Sequence, residues 1–195
     1  MIIVAASILA VLTVPLTGRS LAPLAKLPLR RVWLVWLSIA LQLVITLVPG
    51  FPNWLGQPLH LSTFALSALF MWTNRHLPGV LLLALGAGLN LAAIASNGGT
   101  MPASDWAWRT AGFPTLVDEF ENSNVVHGAR LPWLGDVFAI PKGWPLANVF
   151  SIGDVIIVIA IAYFAHTWCR HHAETADPSE RLDDGAVHVP GGAAA

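Results

Sequence analysis

Five stretches of the chain are apolar over most of their length, at roughly 2–17, 32–48, 58–73, 77–96 and 152–169, and each predicts a helix. A helix that crosses a bilayer needs about 20 residues, with about 17 as the short limit, so the first and third draw on their flanks. The pattern predicts an all-α membrane protein with five transmembrane helices. Two stretches break it. Residues 97–151 form a long Trp-rich connection between the fourth and fifth segments, and residues 173–195 are polar, acidic and rich in Gly, Ala and Pro. The expected organisation is a membrane domain over 1–172 and a disordered cytoplasmic tail over 173–195, since that tail cannot bury a core. The first segment lacks the basic leader and the small-residue cleavage site of a signal peptide, so it reads as a retained span.

Basic residues give the direction. Arg19, Lys26, Arg30 and Arg31 follow the first segment, Arg75 and His76 follow the third, and the fifth ends in "WCRHH", whereas "VPGFPNWLGQP" between the second and third carries no charge. Short cytoplasmic loops collect Lys and Arg. The N-terminus is therefore expected outside and the C-terminus inside, with 97–151 on the outer face.

Composition supports this reading and narrows the partners. Of 195 residues, 55% are hydrophobic and 11% charged, and mean hydropathy is +0.65. A soluble domain carries about 25% charged residues. A formal net charge of −1 argues against nucleic acid as a partner. The expected partners are the lipid bilayer, a lipid-like ligand or other membrane proteins. The single cysteine, Cys169, excludes an intramolecular disulfide. No cofactor is predicted and no metal site: His127 has no second ligand at zinc spacing, and His166, His171 and His172 read as part of a basic stop at the inner interface. Asp118, Glu119 and Glu121 read as a solvated acidic cluster.

With direction assigned, the intramembrane polar residues gather toward the outer half. Gln42 lies near the outer end of the second segment and His60 at the outer start of the third. Asn90 and Asn97 lie seven residues apart, on one helix face. Asp154 opens the fifth segment. Such groups face a bundle interior or a wet cavity. One reading is an outward-facing polar pocket roofed by 97–151; the other is hydrogen bonding between helices. The roof carries Trp106, Trp108, Trp133 and Trp144, which read as anchors at the headgroup level or as part of a lid. In the fourth segment, Ala84, Gly86, Ala87 and Gly88 allow close helix packing.

Asp154 has a local explanation. In "SIGD", Ser151 is a good N-cap and Asp154, three residues on, can reach back to its N–H, as in a capping box. Gly153 in that first turn is a poor helix former, and its place there suits the close approach of another backbone or a substrate. A second acid, Asp136, precedes Asp154 by eighteen residues on the same expected surface, and two carboxyls that share a proton can activate water.

The blocks "NGGTMP" (97–102), "RLPWLGD" (130–136) and "NVFSIGDVII" (148–157) resemble those of an uncharacterised bacterial membrane-protein family known as a domain of unknown function. That resemblance implies no activity; it implies a multi-pass protein of the bacterial cytoplasmic (inner) membrane. "FSIGDVII" and "LGDVF" are also similar to the two aspartate blocks of lipoprotein signal peptidase, an intramembrane aspartyl peptidase, with Ser151 where that motif carries Asn. This second resemblance implies Asp136 and Asp154 as a catalytic pair and Asn97 as polar support. Two functions follow as expectations: an outward-facing pocket that binds a lipid or small ligand, in a binding or accessory membrane protein, or an intramembrane aspartyl hydrolase.

Overall fold

The computed structural model describes residues 2–114 and 123–175. It is mostly helical: α1 (Ile2–Leu12), α2 (Trp33–Leu47), α3 (Asn53–Thr73), α4 (Val80–Ser96), the short α5 (Asp105–Ala111) and α6 (Ile152–Thr175). The long helices pack in the order α2, α3, α4, α6, α1, so α6 lies between α4 and α1. Small residues sit at these seams, with Ala93, Ala160 and Ala165 buried. Large apolar side chains cover the outside, with Leu9, Trp36 and Leu81 each about two-thirds exposed or more. A water-facing protein rarely exposes so many large apolar side chains. Among the described helices, α6 is long and apolar enough to cross a membrane; α1 with its following turn, α2 and α4 are apolar but shorter.

Several boundaries move for local reasons. α1 stops at Leu12 and a 3-10 turn, Pro15–Thr17, follows, closed by Gly18 in the left-handed region. α3 starts at Asn53, five residues before the predicted start, with Pro52 as its extended N-cap. Pro58 lies inside α3, where it removes one backbone N–H without ending the helix. His60 is therefore two turns into the helix, not at its start. α6 continues six residues past the predicted end, taking in Ala173–Thr175 of the expected tail. Residues 176–195, and the acidic cluster at Asp118, Glu119 and Glu121, lie outside the described residues.

The connection 97–151 is a folded lobe rather than a purely helical or irregular loop. β1 (Met101–Ala103) pairs in parallel with β2 (Ser123–Val125), and β3 (Phe138–Ile140) pairs antiparallel with β4 (Asn148–Phe150). Each strand has three residues, too few for alternation to register in the sequence. α5 is short but well delimited. Ser104 caps it by accepting from the Ala107 N–H (3.2 Å), and Gly112 ends it at φ 79°. Its inner face, Ala107, Trp108 and Ala111, packs with Ala103 and Val149 into the lobe's own core.

Two asparagines tie loops to helix ends. Asn74, 1% exposed at the C-cap of α3, accepts from the Arg30 N–H (2.8 Å) and donates to the Arg30 carbonyl (2.9 Å). Asn97, at the C-cap of α4, holds the backbone of Arg130 the same way, at 2.8 Å in both directions. The first pins the basic segment 19–31 to the end of the bundle where α6 finishes; Trp168 Nε1 adds a hydrogen bond to the Pro23 carbonyl (3.0 Å). The second pins the lobe to the opposite end, where α6 begins.

A candidate acid-lined site between the bundle and the lobe

The site begins with a close helix contact. A Cβ at Gly153 would lie 2.6 Å from the Gly86 carbonyl oxygen and 2.0 Å from Asn90 Oδ1, and one at Gly86 would lie 2.7 Å from the Gly153 carbonyl oxygen. Only glycine at both positions permits this approach of α6 to α4. Gly88 meets nothing and plays no part in it.

That approach brings Asn90 onto the first turn of α6. Asp154 Oδ2 accepts from the Ser151 N–H (2.9 Å), and Ser151 Oγ accepts from the Asp154 N–H (3.0 Å), a reciprocal capping box. Asn90 bridges both members. Its Nδ2 donates to Asp154 Oδ1 (2.8 Å), and its Oδ1 accepts from Ser151 Oγ (2.8 Å). Ser151 has no exposed surface.

Asp136 arrives from the lobe. Its N–H donates to the Pro102 carbonyl (2.8 Å) and its carbonyl accepts from the Ser104 N–H (3.1 Å), which joins it to β1. Gly135 makes this possible, because a Cβ there would stand 2.0 Å from the Pro102 carbonyl oxygen. The side chain is 6% exposed, and its Oδ2 accepts a short hydrogen bond from Ser123 Oγ on β2. Burial pushes the Asp136 carboxyl up to about 6; the Ser123 hydroxyl opposes that rise and the charge of Asp154 adds to it.

Asp136 and Asp154 line one cavity of about 570 Å³, together with His60, Asn90, Ser123 and Asn148. Its apolar wall includes Trp108 and Phe113, whose ring centroids are 4.8 Å apart. His60 is held by Gln42 of α2, with 3.0 Å between Nδ1 and Oε1, and meets Phe64 edge-on. Gln42 and Asn97 do not line the cavity: the first positions His60, and the second holds the Arg130 backbone. Ser123 and Asn148 do line it, and sequence reasoning missed both. Ser and Asn in a Gly- and Pro-rich segment read as turn formers, and only the strand pairing turns them inward. His166 meets the turn after α1, 2.9 Å from Thr13 Oγ1, and Cys169 is buried beside Val14 and Ala165. Among the described residues, no group of three or more His, Cys, Asp or Glu is placed to hold a metal ion.

These features define a class: a mostly helical protein with an apolar bundle, closed at one end by a small lobe that supplies half of an acid-lined cavity. The chain belongs to the Family of unknown function (DUF5317), whose model matches residues 26–166, a range that contains every described residue lining the cavity except Ile3. A protein of Thermotoga maritima, described as an uncharacterized protein, is 30% identical over 126 residues, which cover 64% of this chain and 70% of the relative. No solved structure matches.

Proposed function

We propose that the chain is a five-span protein of the bacterial cytoplasmic membrane, with its N-terminus outside and its C-terminus inside, and that the cavity faces outward and binds a lipid or a small ligand. One observation carries this reading: both carboxyls open into a single cavity at the end of the bundle opposite the basic segment 19–31. Short cytoplasmic loops collect basic residues, which supports an outward-facing cavity at the other end. The exposed apolar surface of the helices and the length of α6 support membrane insertion. A cavity of this size is in the range of sites for small ligands.

The test is cysteine accessibility in a Cys169→Ser background. Trp106→Cys should react with a membrane-impermeant maleimide on intact cells, and Arg170→Cys only after lysis. Equal labelling, or the reverse order, overturns the orientation; release of the protein by alkaline carbonate overturns the spans.

A second reading, an intramembrane aspartyl hydrolase, is favoured by the raised Asp136 carboxyl beside the charge of Asp154. A carboxyl poised near neutral pH is suited to proton transfer. On this reading Asp136 and Asp154 are the catalytic pair. Loss of a measured hydrolysis in both Asp136→Asn and Asp154→Asn, with folding intact, supports it; full retention in both excludes it.

A further inference from the structure

The cavity has an unbalanced set of polar groups. Among the described residues, its lining contains two carboxyls and no Lys or Arg. Asp136 is more than nine-tenths buried, and its Oδ1 receives no hydrogen bond among the described residues. Asn90, which also lines the cavity, directs one of its two amide N–H donors to Asp154. The described lining thus carries acidic groups with no Lys or Arg to balance them, in a setting where burial makes charge costly.

A cation would relieve this. The lining offers two carboxylates and one histidine, and no group of three or more such residues suited to a metal ion is present among the described residues. The remaining wall favours an organic cation. Trp108 donates its Nε1–H to the Pro114 carbonyl (2.7 Å), so it contributes its ring rather than a donor, and Phe113 packs against it. Aromatic faces and carboxylates together suit an alkylammonium. A primary ammonium brings three N–H donors, which a quaternary one lacks, and donors are what the acceptors here need.

We propose that the cavity binds a primary ammonium group, placed between Asp136 and Asp154 against Trp108 and Phe113. The ammonium belongs either to the head group of an aminophospholipid or to a free small amine. This inference rests on the reading of the cavity as a ligand site and names the ligand's chemistry. It agrees with the titration of the site: among the described residues, the titratable groups that line the cavity are His60 from α3, Asp136 from the lobe and Asp154 from α6, and a cation beside Asp136 would favour its ionised form.

The full chain is to be purified from nanodiscs of phosphatidylcholine mixed with phosphatidylethanolamine or with phosphatidylglycerol, acyl chains matched, and retained lipid counted by native mass spectrometry. Ethanolamine is titrated in phosphatidylcholine-only discs. Phosphatidylethanolamine should be retained about tenfold over the other two, a preference of about 1.4 kcal/mol. Asp136→Asn and Asp154→Asn should each remove the preference, and Asp136→Glu, which keeps the charge, should restore it. Retention should weaken from about pH 7.5 to about pH 5 as Asp136 takes up a proton. Saturable binding of ethanolamine without the lipid identifies a free amine as the source, and binding of the lipid alone identifies the lipid. If phosphatidylglycerol or phosphatidylcholine is retained as well as phosphatidylethanolamine, the ammonium assignment falls and the ligand site stands. If no lipid and no amine binds, both fall.

Discussion

Asn90 of α4 holds Asp154 of α6 by a 2.8 Å hydrogen bond, and its amide oxygen takes the hydroxyl of Ser151 at the same distance. One side chain thus joins two helices and completes the cap of the second. The three side chains act as a unit, so their energies should not add. Asn90→Ala and Ser151→Ala should each lower stability, Ser151→Ala by about 2 kcal/mol, because it removes a cap and also leaves a buried Asn90 oxygen without its donor. In the double variant the losses should overlap by about 0.5–3 kcal/mol. A thermodynamic cycle in detergent checks this, and strict additivity would show the bridge to be energetically idle.

Asp154→Glu should be tolerated far better than Asp154→Ala. Glutamate is the usual third-position partner in a capping box and can reach the Ser151 N–H. Thermal unfolding of the two variants distinguishes them, and equal destabilisation would mean that the side-chain length is set by Asn90 rather than by the cap.

Glycines in α4 and α6 should divide sharply. Gly153→Ala places a methyl against Asn90 Oδ1 and the Gly86 backbone, and should cost about 1–3 kcal/mol. Gly88→Ala meets nothing and should be neutral or stabilising by up to about 1 kcal/mol, the propensity gain of alanine in a helix. Denaturation midpoints of the two variants measured side by side test the contrast.

Asp136 should make the protein less stable as pH rises. Its carboxyl goes from an ordinary 3.8 to about 6 in the folded state, so between these values the folded chain binds the proton more tightly than the unfolded one. Stability contributed by that proton is present near pH 4 and is lost as pH rises through about 6, a change of about 2–3 kcal/mol. Asp136→Asn keeps an acceptor for Ser123 and removes the titration. It should flatten the pH dependence and stabilise the protein above about pH 6, as stability measured from about pH 4 to 8 would report.

Asn74→Ala should cost about 1–3 kcal/mol, since the side chain is almost fully buried and both Arg30 backbone groups lose their partner. Amide exchange should speed up at Arg30, on a loop far from the mutated residue in sequence. Unchanged exchange there would exclude the clasp.

Much of this architecture is local and therefore legible. The apolar runs mark the long helices, with errors where α3 begins five residues before its apolar run and where α6 extends into the polar tail. Ser151 and Asp154 form the capping box that "SIGD" implies, because both partners lie within one turn. The strands of the lobe were not legible, since each is shorter than the window over which alternation becomes a signal.

The sequence by itself determined the apolar segments and the helix start at Ser151. Each depends on residues a few positions apart, where chain geometry sets the distance. Only the tertiary structure decided that Asn90 meets residues 61 and 64 positions away, that Gln42 holds His60, and that Asp136 and Asp154 share a cavity. The Asn90 contacts follow from how closely α4 and α6 approach, through Gly86 and Gly153, and the place of Asp136 from how Gly135 lets its segment join β1. Helix separation and lobe placement emerge from packing across the whole chain, which no local spacing encodes.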